Sequence, residues 1–434
     1  MIERLPFPTP VFSRLGSGLR VIALPQPHLE RAHVALYSRV GSRFETEQSN
    51  GLSHFLEHMI YRGTPRLPSA HAVNLAFEDL GGYLYAATHV DFGVFSVTLP
   101  EESFDVALPL FGEVLSAPAF FDIELERGIV REEILEDLDD EGREINADNL
   151  SRKLIYPNHS LGFTITGKQS QVDSFSEAML REHHQTFYTR ENSVLVLAGA
   201  IDPARVIDLC ERAFERLPSG NRIEASLPKH TQKKPRLKQL ENMSSQTDVR
   251  VCFRASAEYS DDAAAIELLM RVLDDGMSTR LYHRLCNELG LCYDVSCGFD
   301  GYEDDGVIDF SAGVQHARIA QVVGEILGLV AQLTREPPTP DELARAQRRT
   351  AWDMRHMVNS EDEIGHHWGL GALFEREQSP ESRLARTQAI TRDDLLQVAK
   401  RYFTPDRLNV VAVGLTPREV STELKARLND WQVA

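Results

Sequence analysis

The sequence predicts an α+β protein: two structurally similar α/β domains in tandem, each an antiparallel sheet with helices packed on one side. Three observations predict it. Ser176–Gly199 (SEAMLREHHQTFYTRENSVLVLAG) and Thr391–Gly414 (TRDDLLQVAKRYFTPDRLNVVAVG) share one pattern, 215 residues apart. Each is an amphipathic helix, an aromatic pair (Phe187-Tyr188, Tyr402-Phe403), a threonine, a short loop and an apolar strand ending in glycine. A repeat at a fixed period is the signature of a duplicated unit. The same offset aligns Ala32–Ser38 (AHVALYS) with Thr247–Phe253 (TDVRVCF), both alternating strands. Finally, Phe92–Leu99 (FGVFSVTL) alternates with one polar face, the pattern of an antiparallel sheet covered on one side.

Within a copy the predicted order is strand, strand, long helix, strand pair, helices, strand. Pro203 and Pro417 start a helix after each glycine, as proline's fixed φ suits the first helical turn. The stretch Ser219–Gln239, with SLPKHTQKKPRLKQ, is polar, basic and carries prolines, so it reads as a boundary. The expected division is a catalytic domain over 1–222, a linker over 223–240 and a second repeat over 241–434.

Composition limits what such a chain does. Its 434 residues hold 46 Lys+Arg against 65 Asp+Glu, a formal net charge of −19. That surface repels nucleic acid and anionic lipid, and neither is an expected partner. No uninterrupted apolar run approaches the 18 or so residues of a membrane span. The N-terminus, MIERLPFPTPVF, lacks the apolar core of a signal peptide. The five cysteines are odd in number and form no CxxC pair, so a reducing cytoplasm is the expected setting.

The chemistry lies in residues 51–64, GLSHFLEHMIYRGT. On a helix His54 and His58 stand one turn apart on one face, so two imidazoles converge on one cation. Glu57 points to the same side and is placed to take a proton from water. This is the HxxEH pattern of the inverzincins. The bland alternative is a solvated helix that happens to carry these groups. Against it, Phe55, Leu56, Met59 and Ile60 make the segment apolar nearly all round, and buried His and Glu need partners. The third ligand is sought in the acidic helix Asp122–Asp140. At 100° per residue Glu126 and Glu133 differ by only about 20° and share an apolar stripe with Ile123, Ile129 and Val130. Glu133 is chosen as ligand and Glu126 as a carboxylate orienting it. Asp137, on the same face, is a weaker candidate. One Zn2+ per chain is expected from this donor set.

These motifs resemble the pitrilysin-type zinc peptidases, and more closely the short-chain subgroup that includes mitochondrial processing peptidase and its bacterial relatives. The resemblance extends through GGYLYAATHVDF (81–92), YPNHSLGFTITG (156–167) and GMSTRLYHRLCNELGLCYDV (276–295). It implies zinc on His54, His58 and Glu133, Glu57 as general base and Glu126 as a supporting carboxylate. It implies a peptide laid along Gly82, Tyr85, Ala86 and Ala87, and two halves that enclose a chamber. At the 215-residue offset His54, Glu57 and His58 fall on Leu269, Val272 and Leu273, so the second copy is expected to be structural. Two departures stand out. Tyr85 replaces an asparagine of the substrate-lining strand. Active two-half enzymes also carry an Arg and a Tyr seven apart; here Tyr293 is present but Cys286 holds the Arg position. Arg284 lies about 200° round a helix from it.

The expected function is therefore a zinc endopeptidase for extended peptides or unfolded segments. Its expected partner is a homologous subunit that supplies the Arg/Tyr pair, with a homodimer as the other arrangement. The competing reading is a non-catalytic scaffold, and a weaker third is a zinc hydrolase of small molecules. His159 reads as a hydrogen-bonded loop residue, and His366-His367 lacks a carboxylate at ligand spacing.

Overall fold

In the computed structural model, which describes residues 6–431, the strands sort into two sheets of matching order. The first holds β1 (Val11–Arg14), β2 (Arg20–Pro25), β3 (Arg31–Ser38), β4 (Leu84–Thr88), β5 (Gly93–Pro100) and β6 (Ser193–Gly199), in the order β1-β2-β6-β3-β5-β4. The second holds β7 (Arg236–Leu240), β8 (Thr247–Ala255), β9 (Cys292–Gly301), β10 (Gly306–Val314) and β11 (Leu408–Val413), in the order β7-β11-β8-β10-β9. Apart from the extra edge strand β1, the two orders are the same. The helices Glu177–Phe187 and Arg392–Tyr402 also stand 215 residues apart, so the duplication read from the sequence is present in the fold.

Two expectations about the sheets are corrected. They are mixed, because β2 pairs with β6 and β7 with β11 in parallel, while the remaining pairs are antiparallel. The reason is topological. β2 and β3 run in opposite directions, so β6, inserted between them, must be parallel to one. Helices also cover both faces. Every residue of β6, and all of β3 after Arg31, is buried. Along β11 the side chains alternate. Val410 and Ala412 join the large core under the helices Ala263–Leu273, Ile319–Arg335 and Arg392–Tyr402, while Val411 and Val413 meet Ala147 and Leu150 of the helix Ala147–Ile155 on the opposite face.

The chain forms two compact units, and neither is contiguous. Unit 1 comprises residues up to Ile134, Phe163–Ser226 and Asp353–Glu381; unit 2 comprises Leu135–Gly162, Leu227–Trp352 and Ser382 onward. This differs from the division at 1–222 and 241–434, because each sheet takes one covering helix from a distant stretch of chain. Ala147–Ile155 covers the second sheet and Glu361–Leu373 the first. The expected linker 223–240 also ends in a strand, β7, held parallel to β11.

The helix Glu361–Leu373 lies close on its sheet because of two glycines. A Cβ at Gly369 would stand 2.4 Å from the Tyr37 ring, and one at Gly365 would stand 3.3 Å from the His33 ring. The segment His316–Arg335 is long and apolar enough to cross a membrane by length and composition. Here Val322, Val323, Ile326, Val330 and Leu333 are buried in the core of unit 2. Its charged interruptions are few, Arg318, Glu325 and Arg335. In unit 1 the helices α1 (Leu52–Ile60), α2 (Ala70–Glu78), α3 (Phe104–Ser116) and α4 (Ile123–Glu136) carry the residues of interest, and α4 ends as the chain passes into unit 2.

Candidate metal centre

The start of α1 is built by residues that only this turn requires. Gly51 has φ +94°, and a Cβ there would lie 2.5 Å from the Thr166 carbonyl oxygen, so a side chain is excluded. Glu45, buried, takes the place of a side-chain cap. It accepts from the Gly51 and Ser53 amides at 2.8 and 2.7 Å and from Asn50 Nδ2 at 3.0 Å. A carboxylate on the first helical amides satisfies orphan donors and matches the helix dipole. Burial nevertheless raises its pKa, against those hydrogen bonds. Phe55, Leu56, Met59 and Ile60 are fully buried and hold the helix in register.

That register places His54 and His58 side by side, with ring centroids 4.6 Å apart. α4 crosses in front of them. Its inward residues are Glu126, Val130 and Ile134, and Glu133 is half-buried beside them. The apolar stripe inferred for this helix is corrected at Ile129, which is 46% exposed. The carboxylates, not Ile129, occupy the inner face because the two histidines offer them partners there.

His54 Nε2 lies 3.3 Å from one oxygen of Glu133 and His58 Nε2 lies 3.5 Å from the other. A ligand atom from each of the three residues falls within 4.8 Å of the others, and among the described residues no other group of three or more such side chains does so. Glu126 accepts from His58 Nδ1 at 2.7 Å and so turns the ring to face Glu133 with its Nε2. Arg62 ties Glu126 and Asp122 together at 3.4 and 2.9 Å. The Nδ1 of His54 is buried with no hydrogen-bond partner. Hydrogen bonds from His54 and then His58 hold the Glu133 carboxyl far below the usual range, against burial. Burial lowers the His58 pKa, but Glu126 and Glu133 outweigh it and push it up to about 9. Two inward-turned imidazole nitrogens and a carboxylate that stays ionised are the donor set zinc takes in catalytic sites, so the residues present fit that ion.

Glu57 accepts from Thr88 Oγ1 at 2.5 Å, which joins α1 to the end of β4. Tyr61, one turn on, donates to the Leu84 carbonyl at 3.1 Å and so also pins β4. β4 is the edge strand of its sheet. Tyr85 on it is exposed, Ala86 and Ala87 are half-exposed, and Gly82 precedes it. Tyr293 lies in unit 2, on the edge strand β9, and is 92% exposed. Asp137 is engaged elsewhere, accepting from Asn146 and Asn149 in unit 2. In the second copy Leu269, Val272 and Leu273 lie on the helix Ala263–Leu273 and are buried apolar core. His159 accepts from the Leu161 amide at 3.1 Å within its loop. Sequence reasoning missed Thr88, Arg62 and Glu45. Only Arg62, one turn after His58, left a signal in the spacing.

A duplicated α/β chain with this cluster has known relatives. Residues 20–167 match the family described as insulinase (peptidase family M16), and residues 174–350 match the one described as peptidase M16 inactive domain. The chain is a homologue of the M16, insulinase- and pitrilysin-like, zinc proteases. The uncharacterized zinc protease YmxG of Bacillus subtilis (strain 168) is 26% identical over 396 residues, covering 90% of this chain and 95% of its own. An uncharacterized zinc protease of Rickettsia bellii (strain RML369-C) is 26% identical over 410 residues, covering 92% and 96%. The solved structure of a peptidase M16 inactive domain from Pseudomonas fluorescens superposes with a TM-score of 0.87 at 20% identity, covering 94% of this chain and 99% of that one.

Proposed function

We propose that this chain is a zinc-dependent endopeptidase that cleaves extended peptides or unfolded segments, working with a homologous partner subunit. The observation that carries it is the convergence of His54, His58 and Glu133 within 4.8 Å, with Glu57 on the same helix face as the two histidines. When bound there, zinc supplies Lewis-acid activation of water. Glu57 takes the proton of the attacking water and hands it to the leaving amine. Thr88 holds one of its oxygens, so the carboxylate keeps one orientation through both transfers. Glu126 keeps the His58 proton on Nδ1. The substrate adds as a strand to β4, whose outer edge carries Tyr85 and is otherwise unpaired in the sheet. With Cys286 at the position where an Arg would polarise the scissile carbonyl, the Arg/Tyr pair comes from the partner chain.

The test is zinc content and cleavage of unstructured peptides, with the co-purified partner, for the wild type and Glu57→Gln. The expected result is one zinc per chain in both and a loss of hydrolysis of about 100-fold or more in the variant. Full activity in Glu57→Gln would sink the base assignment. The second reading is a non-catalytic binding subunit. It draws on Cys286 and on the inactive-domain likeness of residues 174–350. A metal-free chain after zinc-replete purification would favour it.

A further inference from the structure

Beyond the zinc centre, the molecule holds a pair of thiols that the peptidase reading does not use. Cys286 Sγ and Cys292 Sγ lie 3.7 Å apart, both partly exposed. The chain between them is built to bring them together. Residues His283–Glu288 form a π-helical turn, Gly290 follows at φ +56°, and the Leu291 amide donates to the Leu285 carbonyl at 2.8 Å. Cys292 then opens β9, beside a register shift in its pairing with β10 between Ala312 and Val314. That irregularity gives the first residue of the strand local slack. The other three cysteines are placed differently. Cys210 and Cys252 are buried, and Cys297 Sγ is turned to the Met270 carbonyl at 3.8 Å.

We propose that Cys286 and Cys292 form a reversible dithiol–disulfide site whose reactant class is a small-molecule disulfide such as oxidised glutathione. The Cys286 thiolate attacks one sulfur of the reagent, forming a mixed disulfide and expelling one small thiolate. The Cys292 thiolate then attacks the Cys286 sulfur, expelling the second small thiolate and closing the protein disulfide. The two protein thiols lose two electrons and two protons, and the reagent becomes two thiols. Closure needs the sulfurs to approach from 3.7 Å to about 2.05 Å. Burial pushes both thiols up, Cys292 to about 12, so little thiolate is present at neutral pH and the exchange is slow unless the reagent is in excess. The crosslink pins the start of β9 directly before the exposed Tyr293. This inference is independent of the zinc reading.

The full chain, reduced and then freed of reductant, is incubated with excess oxidised glutathione, acid-quenched, alkylated and mapped by peptide mass. The expected result is a peptide joining 286 to 292, lighter by two hydrogens and reopened by reductant. Cys286→Ser and Cys292→Ser should each stop at a glutathione adduct on the remaining cysteine, and Cys297→Ser should close as the wild type does. A wild-type map showing only glutathione adducts, unmodified thiols or a bridge to Cys297 would overturn the proposal. The wild-type map alone decides it, so no variant needs to fold for the result to count.

Discussion

Glu126 illustrates what a single carboxylate does here. It is buried, bonded to His58 Nδ1 at 2.7 Å and steadied by Arg62. Outer partners of this kind set the tautomer and direction of a metal-binding ring. Glu126→Gln is therefore expected to weaken zinc binding by about 10- to 100-fold while leaving the fold intact. Competition with a zinc chelator checks it, and an unchanged affinity would mean that α1 alone orients His58. The seven-residue spacing of Glu126 and Glu133 was legible in the sequence because helical angles are set by the backbone. The outward turn of Ile129 was not, because an apolar residue gives way when charged neighbours have buried partners to meet. Thr88 was invisible for a different reason. Its role arises from the approach of β4 to α1, which no local pattern encodes.

At the scale of elements, close approach of helix and sheet depends on small residues. Gly369→Ala would put a Cβ 2.4 Å from the Tyr37 ring, so ring or helix must shift. Overpacking of this kind costs about 1–3 kcal/mol. A lower urea midpoint with zinc content preserved is the expected outcome, and an unchanged midpoint would show that the helix Glu361–Leu373 rides loosely. The paired motifs at the 215-residue offset foretold the equivalent strands β6 and β11 and the helices before them. They did not foretell the covering helices. The offset carries Ala147–Ile155 onto residues 362–370, inside Glu361–Leu373, but each of these helices covers the sheet of the other copy, an exchange that no local pattern encodes.

For the molecule as a whole, buried histidines shape the response to acid, His33 and His183 among them. Burial lowers the pKa of His33 to about 4 and of His183 to about 3, and both bond neutral hydroxyls, Thr98 and Ser53. Both folded values lie below the unfolded 6.5 or so. Their stabilisation is therefore complete above that pH and is lost as the pH falls towards the folded values, because the unfolded chain binds the protons first. The loss is about 2 kcal/mol per histidine at pH 5. Glu45, whose pKa burial raises, acts in the opposite direction. Urea midpoints that fall between pH 7.5 and 5 would bear this out, whereas a flat profile would show that the two rings take up protons without unfolding.

The discontinuity of the two units also bears on how the protein comes into being. A ribosome delivers residues in order, and domains ordinarily fold as they emerge. The first sheet has all its strands once Gly199 is out, yet the helix that shields one of its faces ends only at Leu373. Until most of the chain has been made, His33 and Tyr37 stand on an uncovered apolar surface. The nascent chain thus passes through a long interval of exposure in which a chaperone, or the first half of a sister copy, has something to hold.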